Sequence, residues 1–251
     1  MTVSADVWQA RAAMCELLAL SFRYPEDRVL ADAVASGEWG EAAEEIAGAL
    51  DLDWSADVAA GAAEGAAFDD PAELQRALRA EATRLFVGAP EPAVSPYEGV
   101  WRAKDDGVQA LLFVNPHSME VERFCKACGL GRPEGTNEPL DAAWTELELL
   151  EYLALRAAAD AAEADGIAGD AAAVENVVED DETLDEFEDA GEPGEVVASA
   201  DLPGGSPEAA WDEFVAEHAR QWMPQFAAAV QEESRVPFYA TAASLLAAFI
   251  G

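Results

Sequence analysis

Apolar residues recur at the spacing of an α-helix along most of this sequence. Of its 251 residues 51% are hydrophobic, many of them alanine, which enters a helix without losing side-chain entropy. Asp70-Pro71-Ala72-Glu73 has the residue types of a helix start, and apolar residues at helical spacing follow it. The only plausible strand material is Val108–Val114. The pattern therefore predicts an all-α fold, a single compact domain resembling a helical bundle.

The charge of the chain is strongly unbalanced, with 51 acidic residues against 14 basic ones and a net charge of −37. Repulsion of this size opposes a compact state in dilute buffer. In molar salt the Debye length falls to about 3 Å, which removes most of that repulsion. The composition therefore predicts a halophilic protein of a salty cytoplasm, and an acidic surface that recruits a basic partner is compatible with it. Without a basic stripe to neutralise phosphates, a nucleic-acid partner is not expected.

One segment differs in composition from the rest. Residues 161–205 hold fifteen acidic residues and neither lysine nor arginine, with few bulky apolar groups to offset the entropy of ordering. We therefore expect a mobile acidic insertion over residues 159–205. Residues 1–158 form the N-terminal helical part of the domain, and residues 206–251 supply the helices that complete it. Long helices joined by such an insertion also make a domain-swapped homodimer conceivable.

Neither end of the chain predicts membrane insertion. Met1–Met14 has no apolar core of the kind that a signal peptide carries. Val236–Gly251 is uncharged, but its sixteen residues fall short of the ~20 needed to span a bilayer. We expect a buried C-terminal helix and a cytoplasmic protein.

The cysteine pair Cys125-Lys126-Ala127-Cys128 is the motif that most resembles a reactive site. Val121, Phe124, Cys125 and Cys128 follow helical spacing, so both thiols lie on one apolar helix face. They also fall in the last helical turn, where the helix dipole disfavours a thiolate. We predict buried thiols, and a redox- or metal-responsive protein that uses this pair is the alternative. No catalytic residue, metal ligand set or cofactor motif is predicted elsewhere.

The segment Leu85–Trp101 stands apart from the helical pattern. A helix ends at Gly88, and a proline-stiffened loop then presents Tyr97 and Trp101 on either side of Glu98. A rigid loop with aromatic groups and a carboxylate suits peptide recognition, because it offers apolar contact and a partner for a guanidinium. A structural turn whose aromatic side chains pack inward explains the same residues equally well.

A second segment opens the helix predicted over Pro139–Arg156. Glu138 and Asp141 bracket its first turn, where the helix dipole favours carboxylates, and capping alone would explain both. Further upstream, Ser118 is predicted to cap the helix Val121–Cys128.

Three sequence features follow one another in a set order. They are the helix end Leu85-Phe86-Val87-Gly88 leading to Pro96-Tyr97-Glu98 and Trp101, the motif Glu138-Pro139-Leu140-Asp141, and a late helix with His218, Trp222-Met223-Pro224 and Phe226. In this order they resemble the TorD-like family of redox-enzyme maturation chaperones, with its TorD, DmsD and NarJ branches. One departure is that the family's acidic-proline motif usually continues with Asp-His, whereas Ala142 follows Asp141 here.

The resemblance implies an all-α cytoplasmic chaperone that is not an enzyme and needs no cofactor. Such a chaperone binds the twin-arginine leader or the apo-form of a molybdopterin-containing reductase until the cofactor is inserted. A generic acidic helical interaction scaffold is a further alternative. The residues expected to bind the client are Tyr97, Glu98, Trp101, Glu138, Asp141 and Trp144. Those expected to be structural are Phe86, Gly88, Pro96, Pro139, His218 and Trp222.

Overall fold

A computed structural model describes residues 3–62, 68, 70–107, 115–132, 139–164, 166 and 197–251. Within these residues the secondary structure is helical, and strand-type pairing is confined to one isolated antiparallel bridge between Tyr97 and Ala142. The predicted all-α fold is confirmed. The strand material proposed at Val108–Val114 lies outside the described residues.

The helices follow one another along the chain, with two π-helical turns, Thr83–Val87 and Val215–Ala219, continuing α5 and α9. Two short 3₁₀ turns, Ser199–Asp201 and Pro203–Gly205, precede α9. The α-helices are α1 (Ala5–Phe22), α2 (Val29–Ser36), α3 (Glu38–Ala49), α4 (Ala56–Ala62), α5 (Pro71–Ala82), α6 (Glu98–Asp105), α7 (Pro116–Ala127), α8 (Ala143–Ala164), α9 (Pro207–Phe214), α10 (Arg220–Glu233) and α11 (Pro237–Ile250).

Two helix starts test the predicted capping residues. At α5 the Asp70 side chain accepts a hydrogen bond from the Ala72 amide at 3.0 Å, as predicted. At α7 the cap is Asn115, whose side chain accepts from the His117 amide at 3.0 Å, so the prediction of Ser118 as the cap is wrong. Asparagine followed by proline at the first helical position is the stronger start signal.

The centre of the fold is the contact between α1 and α8, the most extensive between any two described helices. Trp8 of α1 meets Trp211 of α9 edge to face, with ring centroids 5.6 Å apart. A second aromatic cluster joins four elements: Phe22 of α1, Phe86 of the first π-helical turn, Phe226 of α10 and Tyr239 of α11, with neighbouring centroids 5.4 to 6.3 Å apart. These two clusters fix the N-terminal and C-terminal helices in one core.

Both ends of the predicted insertion lie in the described part of the chain. Helix α8 continues to Ala164, and the buried Leu202 packs into the core beside the two 3₁₀ turns. Arg156 of α8 also donates to the Val197 carbonyl at 2.9 Å. The folded body therefore includes both ends of the predicted insertion, so the expected mobile segment begins later and ends earlier than residues 159–205, and the middle of the insertion lies outside the described residues.

The helical spacing over Pro207–Gln231 predicts one long helix with a kink at Pro224, and the structure differs from that prediction. The π-helical turn Val215–Ala219 separates α9 from α10, and Pro224 lies inside α10. A widened turn changes the helical register just before the proline, which lacks an amide donor. Helix α11 has buried residues along its length, as predicted for the uncharged C-terminal stretch. Among the described helices, none combines the length and apolarity needed to cross a membrane.

Candidate functional site

The two segments singled out in the sequence meet at the antiparallel bridge. The Glu98 amide donates to the Asp141 carbonyl at 2.9 Å, and the Ala143 amide donates to the Pro96 carbonyl at 2.9 Å. The bridge thus joins the start of α6 to the start of α8, although 42 residues separate Gly99 from Asp141 in sequence. The loop and the acidic-proline motif therefore form one site.

Asp141 caps α6 rather than the helix that follows it. Its Oδ2 accepts from the Gly99 amide at 2.9 Å and from the Ser118 hydroxyl at 2.6 Å. Helix α8 begins only at Ala143, so the prediction that Asp141 lies in the first turn of a helix from Pro139 is wrong. Burial raises the pKa of the Asp141 carboxyl, and these two hydrogen bonds oppose that rise.

Gly99 is the point where three polar side chains approach the backbone of α6. A Cβ atom at this position would overlap the Ser118 hydroxyl and lie 3.0 Å from Asp141 Oδ2 and 3.1 Å from Asn115 Cγ. Asn115 also donates from Nδ2 to the Gly99 carbonyl. The close approach requires glycine, because any side chain would displace the groups that cap α6.

Glu98 and His218 connect α6 to the second π-helical turn. His218 Nδ1 donates to Glu98 Oε2 at 2.9 Å, and Arg102 Nη1 donates to Glu98 Oε1 at 3.0 Å. The same Arg102 nitrogen donates to the Glu217 carbonyl at 3.0 Å. The His218 ring also stacks on the Phe214 ring, with centroids 4.7 Å apart, as expected for a structural histidine. Its hydrogen bond to Glu98 is a polar role that the apolar residues around it in the sequence did not indicate.

Glu146 completes the polar interior beneath α6. Its Oε2 accepts from Trp222 Nε1 at 3.0 Å, and its side chain is fully buried. Burial, followed by the charge of Glu98, raises the pKa of the Glu146 carboxyl well above its usual range. The sequence reasoning missed this residue, although a signal was present, since Glu146 occupies the apolar helix face shared by Ala143 and Leu150.

The sequence did not lead us to predict three further residues of the site: Asn115, Arg102 and Ser118. Asn115 had a recognisable signal in the proline that follows it. Arg102 and Ser118 had none, since their partners lie on other elements and depend on how the helices pack.

Three partly exposed aromatic residues lie at or near the bridge, namely Tyr97, Trp101 and Trp144, and we name them the aromatic face; Trp101 and Trp144 also pack against the core. Tyr97 belongs to the bridge itself, and Trp144 lies two residues beyond its other member, Ala142. Trp101 is held in place by its indole nitrogen, which donates to the Ser95 carbonyl at 2.8 Å. These side chains offer apolar contact area at the surface.

The predicted carboxylates are placed differently from the aromatic side chains. Glu98 is 0% exposed and Asp141 is 1% exposed, and both accept hydrogen bonds from neighbouring elements. The expectation that these two carboxylates bind the client directly therefore does not match the described conformation, because helix capping and the bond to His218 draw them inward. Glu138 lies outside the described residues.

The expected structural residues are buried or closely packed. Phe86 and Trp222 belong to the core, and Pro96 and Pro139 are buried on the two sides of the bridge. Gly88 follows the first π-helical turn, where a Cβ atom would lie 3.2 Å from the Arg84 carbonyl oxygen and 3.3 Å from that of Glu91.

The cysteine pair lies in the core as free thiols. Burial raises the pKa of Cys125 to about 12 and that of Cys128 to about 11. Thiolate is the reactive and metal-binding form, so both groups are poorly suited to redox or metal chemistry near neutral pH. In the part of the chain that the structure describes, no set of three or more His, Cys, Asp or Glu side chains is arranged to hold a metal ion.

The family described as nitrate reductase delta subunit matches residues 35–181, more than half of the chain, and the match includes both segments that meet at the bridge. The chain belongs to the nitrate reductase delta subunit family. This is a family of molybdoenzyme maturation chaperones, so the resemblance to TorD-like proteins is confirmed.

Members of this family bind the catalytic subunit of a molybdoenzyme. The family match ends at residue 181, so helices α9, α10 and α11 lie beyond it, and among these late elements α10 and the π-helical turn before it bind α6. No curated protein and no solved structure matches the chain.

Proposed function

We propose that this protein binds the twin-arginine leader or the apo-form of a molybdopterin-containing reductase catalytic subunit. It holds that client in the cytoplasm while the cofactor is inserted and before export. The observation that carries the proposal is the family match over residues 35–181, which spans the two segments joined at the Tyr97–Ala142 bridge. The protein acts as a chaperone in this role and carries out no chemistry of its own.

We assign client contact to the aromatic face. Tyrosine and tryptophan supply large contact areas with few rotatable bonds, which is why they dominate the binding energy of many interfaces. A twin-arginine leader carries two arginines followed by an apolar stretch, and that stretch suits Tyr97, Trp101 and Trp144. Lys104, whose ammonium lies 5.7 Å from the Trp101 ring centroid, shields part of that ring in the free protein.

The carboxylates divide into two roles in this proposal. Glu98 and Asp141 fix the position of α6 from within, since their oxygens already accept hydrogen bonds from His218 and Gly99. Glu138 stays the predicted partner for a client guanidinium. Charge attraction alone is weak in molar salt, so selectivity for arginine there has to come from paired hydrogen bonds and apolar contact.

The test is a calorimetric titration in molar KCl with a synthetic twin-arginine leader peptide and with the same peptide carrying two lysines. We expect tighter binding of the arginine form, since only a guanidinium forms a bidentate pair with a carboxylate. Equal affinity of the two peptides would contradict arginine recognition. Co-purification with the apo-form of the catalytic subunit, done in parallel, tests for binding that does not depend on the leader.

Variants of the aromatic face locate the binding site. Trp101→Ala and Trp144→Ala are each expected to weaken peptide binding by a factor of about 30, corresponding to the ~2 kcal/mol of a typical hot-spot residue. Tyr24→Ala is the matched control, because Tyr24 is also an exposed aromatic residue but lies at the end of α1 beside Arg79. Unchanged binding by both tryptophan variants would place the client elsewhere.

A further inference from the structure

Glu146 has one carboxyl oxygen that is satisfied and one that is not. Oε2 accepts the indole proton of Trp222, whereas the buried Oε1 has no donor among its neighbours. The carboxyl group also lies within hydrogen-bonding reach of the Glu98 carboxyl. Two ionised carboxylates in contact repel each other strongly when both are buried, so this arrangement requires a proton between them.

The partners of the two residues decide which one carries that proton. Glu98 has two basic partners, Arg102 at 3.0 Å and His218 at 2.9 Å. The groups that act on Glu146 are Glu98 from α6, Asp141 from the turn before α8, and the Trp222 indole from α10. The Cys125 thiol of α7 also faces it. Glu98 already accepts hydrogen bonds from Arg102 and His218, whereas Glu146 accepts one, from Trp222, so Glu146 is the member of the pair that keeps a proton to donate.

We propose that Glu146 is a neutral acid that donates its Oε1 proton to the Glu98 carboxylate and thereby positions α6. This hydrogen bond supplies the partner that Oε1 otherwise lacks. Because Glu98 is the first residue of α6, the bond fixes the helix that carries Trp101 and follows Tyr97. Glu146 is thus a positioning residue for the aromatic face, and this part of the inference rests on the proposed function.

A neutral buried acid has a measurable consequence. In the unfolded chain Glu146 ionises above its ordinary pKa of ~4.3, whereas in the folded protein it keeps its proton. Unfolding then releases one proton, so the ratio of folded to unfolded protein falls about tenfold for each pH unit above that value. A glutamine at this position is neutral in both states, and its amide can still donate to Glu98 and accept from Trp222.

The experiment compares urea unfolding of the wild type, Glu146→Gln and Glu151→Gln in molar KCl from about pH 5 to about pH 9. Glu151 is the matched control on the same helix, because burial and the nearby charge of Glu16 raise its pKa to about 7. We expect the folding constant of Glu146→Gln, relative to wild type, to rise about tenfold per pH unit. That rise continues beyond pH 7, where the corresponding ratio for Glu151→Gln levels off. A ratio for Glu146→Gln that stays constant across the range overturns the proposal.

A second measurement keeps the test decisive if Glu146→Gln does not fold. Carbon-13 NMR of the wild type with labelled glutamate carboxyls is expected to show one glutamate still protonated at about pH 8. A spectrum in which every glutamate carboxyl is ionised overturns the proposal.

The positioning role is read from hydrogen exchange of the α6 amides and from peptide affinity at pH 7. Glu146→Gln is expected to keep both near wild type, whereas Glu146→Leu, which cannot donate to Glu98, loses protection of α6 and affinity together. Retained protection in Glu146→Leu refutes the positioning role. If the wild type binds no client peptide, the proposed function fails, while the pH comparison still decides the state of Glu146.

Discussion

Replacing Gly99 by alanine tests the closest packing in the site. The added Cβ overlaps the Ser118 hydroxyl and lies 3.0 Å from Asp141 Oδ2. Overpacking of this kind costs about 1–3 kcal/mol. Displacing Ser118 also removes a hydrogen bond from a buried carboxylate, which costs about 1–3 kcal/mol more. We therefore expect Gly99→Ala to lower the free energy of unfolding by about 2–6 kcal/mol, a large part of the ~5–15 kcal/mol typical of a folded protein.

The partner of the clash provides an internal check. Ser118→Ala alone is expected to cost about 1–3 kcal/mol, because it removes one of the donors to Asp141. In the double variant the overlapping hydroxyl is gone, so the two costs do not add. We expect the double variant to be more stable than the sum predicts by at least ~1 kcal/mol.

Urea unfolding in molar KCl, followed by tryptophan fluorescence, measures these differences if the denaturant slopes of all variants agree. Gly48→Ala is the matched control, since a Cβ at this position in α3 meets nothing within 4 Å. It is expected to stabilise the protein by about 0.5–1 kcal/mol. The packing argument is refuted if the losses in free energy of unfolding of Gly99→Ala and Ser118→Ala add up, within ~0.5 kcal/mol, to that of the double variant. It is also refuted if Gly99→Ala is as stable as the wild type.

Three further results are expected. The melting temperature rises steeply from low salt to molar KCl, because screening weakens the repulsion of 37 net negative charges, and an indifferent melting temperature would count against salt adaptation. The thiols of Cys125 and Cys128 react slowly with iodoacetamide in the native protein at pH 8 and quickly in denaturant; two fast native thiols would revive the redox alternative. Burial raises the pKa of Glu81, but hydrogen bonds from Arg84 and the Arg235 amide outweigh it, so the net shift is downward. The Glu81 carboxylate therefore stabilises the folded protein above about pH 4.5, and this stabilisation is lost as the pH falls through the lowered pKa. In urea unfolding at pH 7, Glu81→Gln is expected to have a lower free energy of unfolding than the wild type, and this difference becomes smaller as the pH is lowered.

The fold was predictable because its information is local. Alanine content, helical spacing and the Asp70-Pro71 start depend on neighbours within one or two turns, and all of them appear in the structure. The wrong prediction for the start of α7 also concerns neighbouring residues. Serine commonly caps helices, which favours Ser118, but Asn115-Pro116 three residues earlier is the stronger combination and forms the cap.

The site was predictable only in part, because its contacts are long-range. The resemblance to the TorD-like family implies that the loop near Tyr97 and the motif near Asp141 belong to one site, and the bridge joins them. It did not indicate that Asp141 caps a helix 42 residues earlier in the chain, or that Glu98 meets His218 across 120 residues. Such contacts depend on which helix faces pack together, and residue type and spacing do not specify that.

The attachment of α6 to the late helices has a consequence for how the protein is made. Arg102 donates to the Glu217 carbonyl, and Gln225 donates to Asp105 at 3.0 Å, so α6 is fixed by residues synthesised more than a hundred positions later. A nascent chain that has reached residue 181 contains the whole family match but none of these anchors. Under the proposed function, client binding at the aromatic face therefore depends on the late helices and arises late in translation.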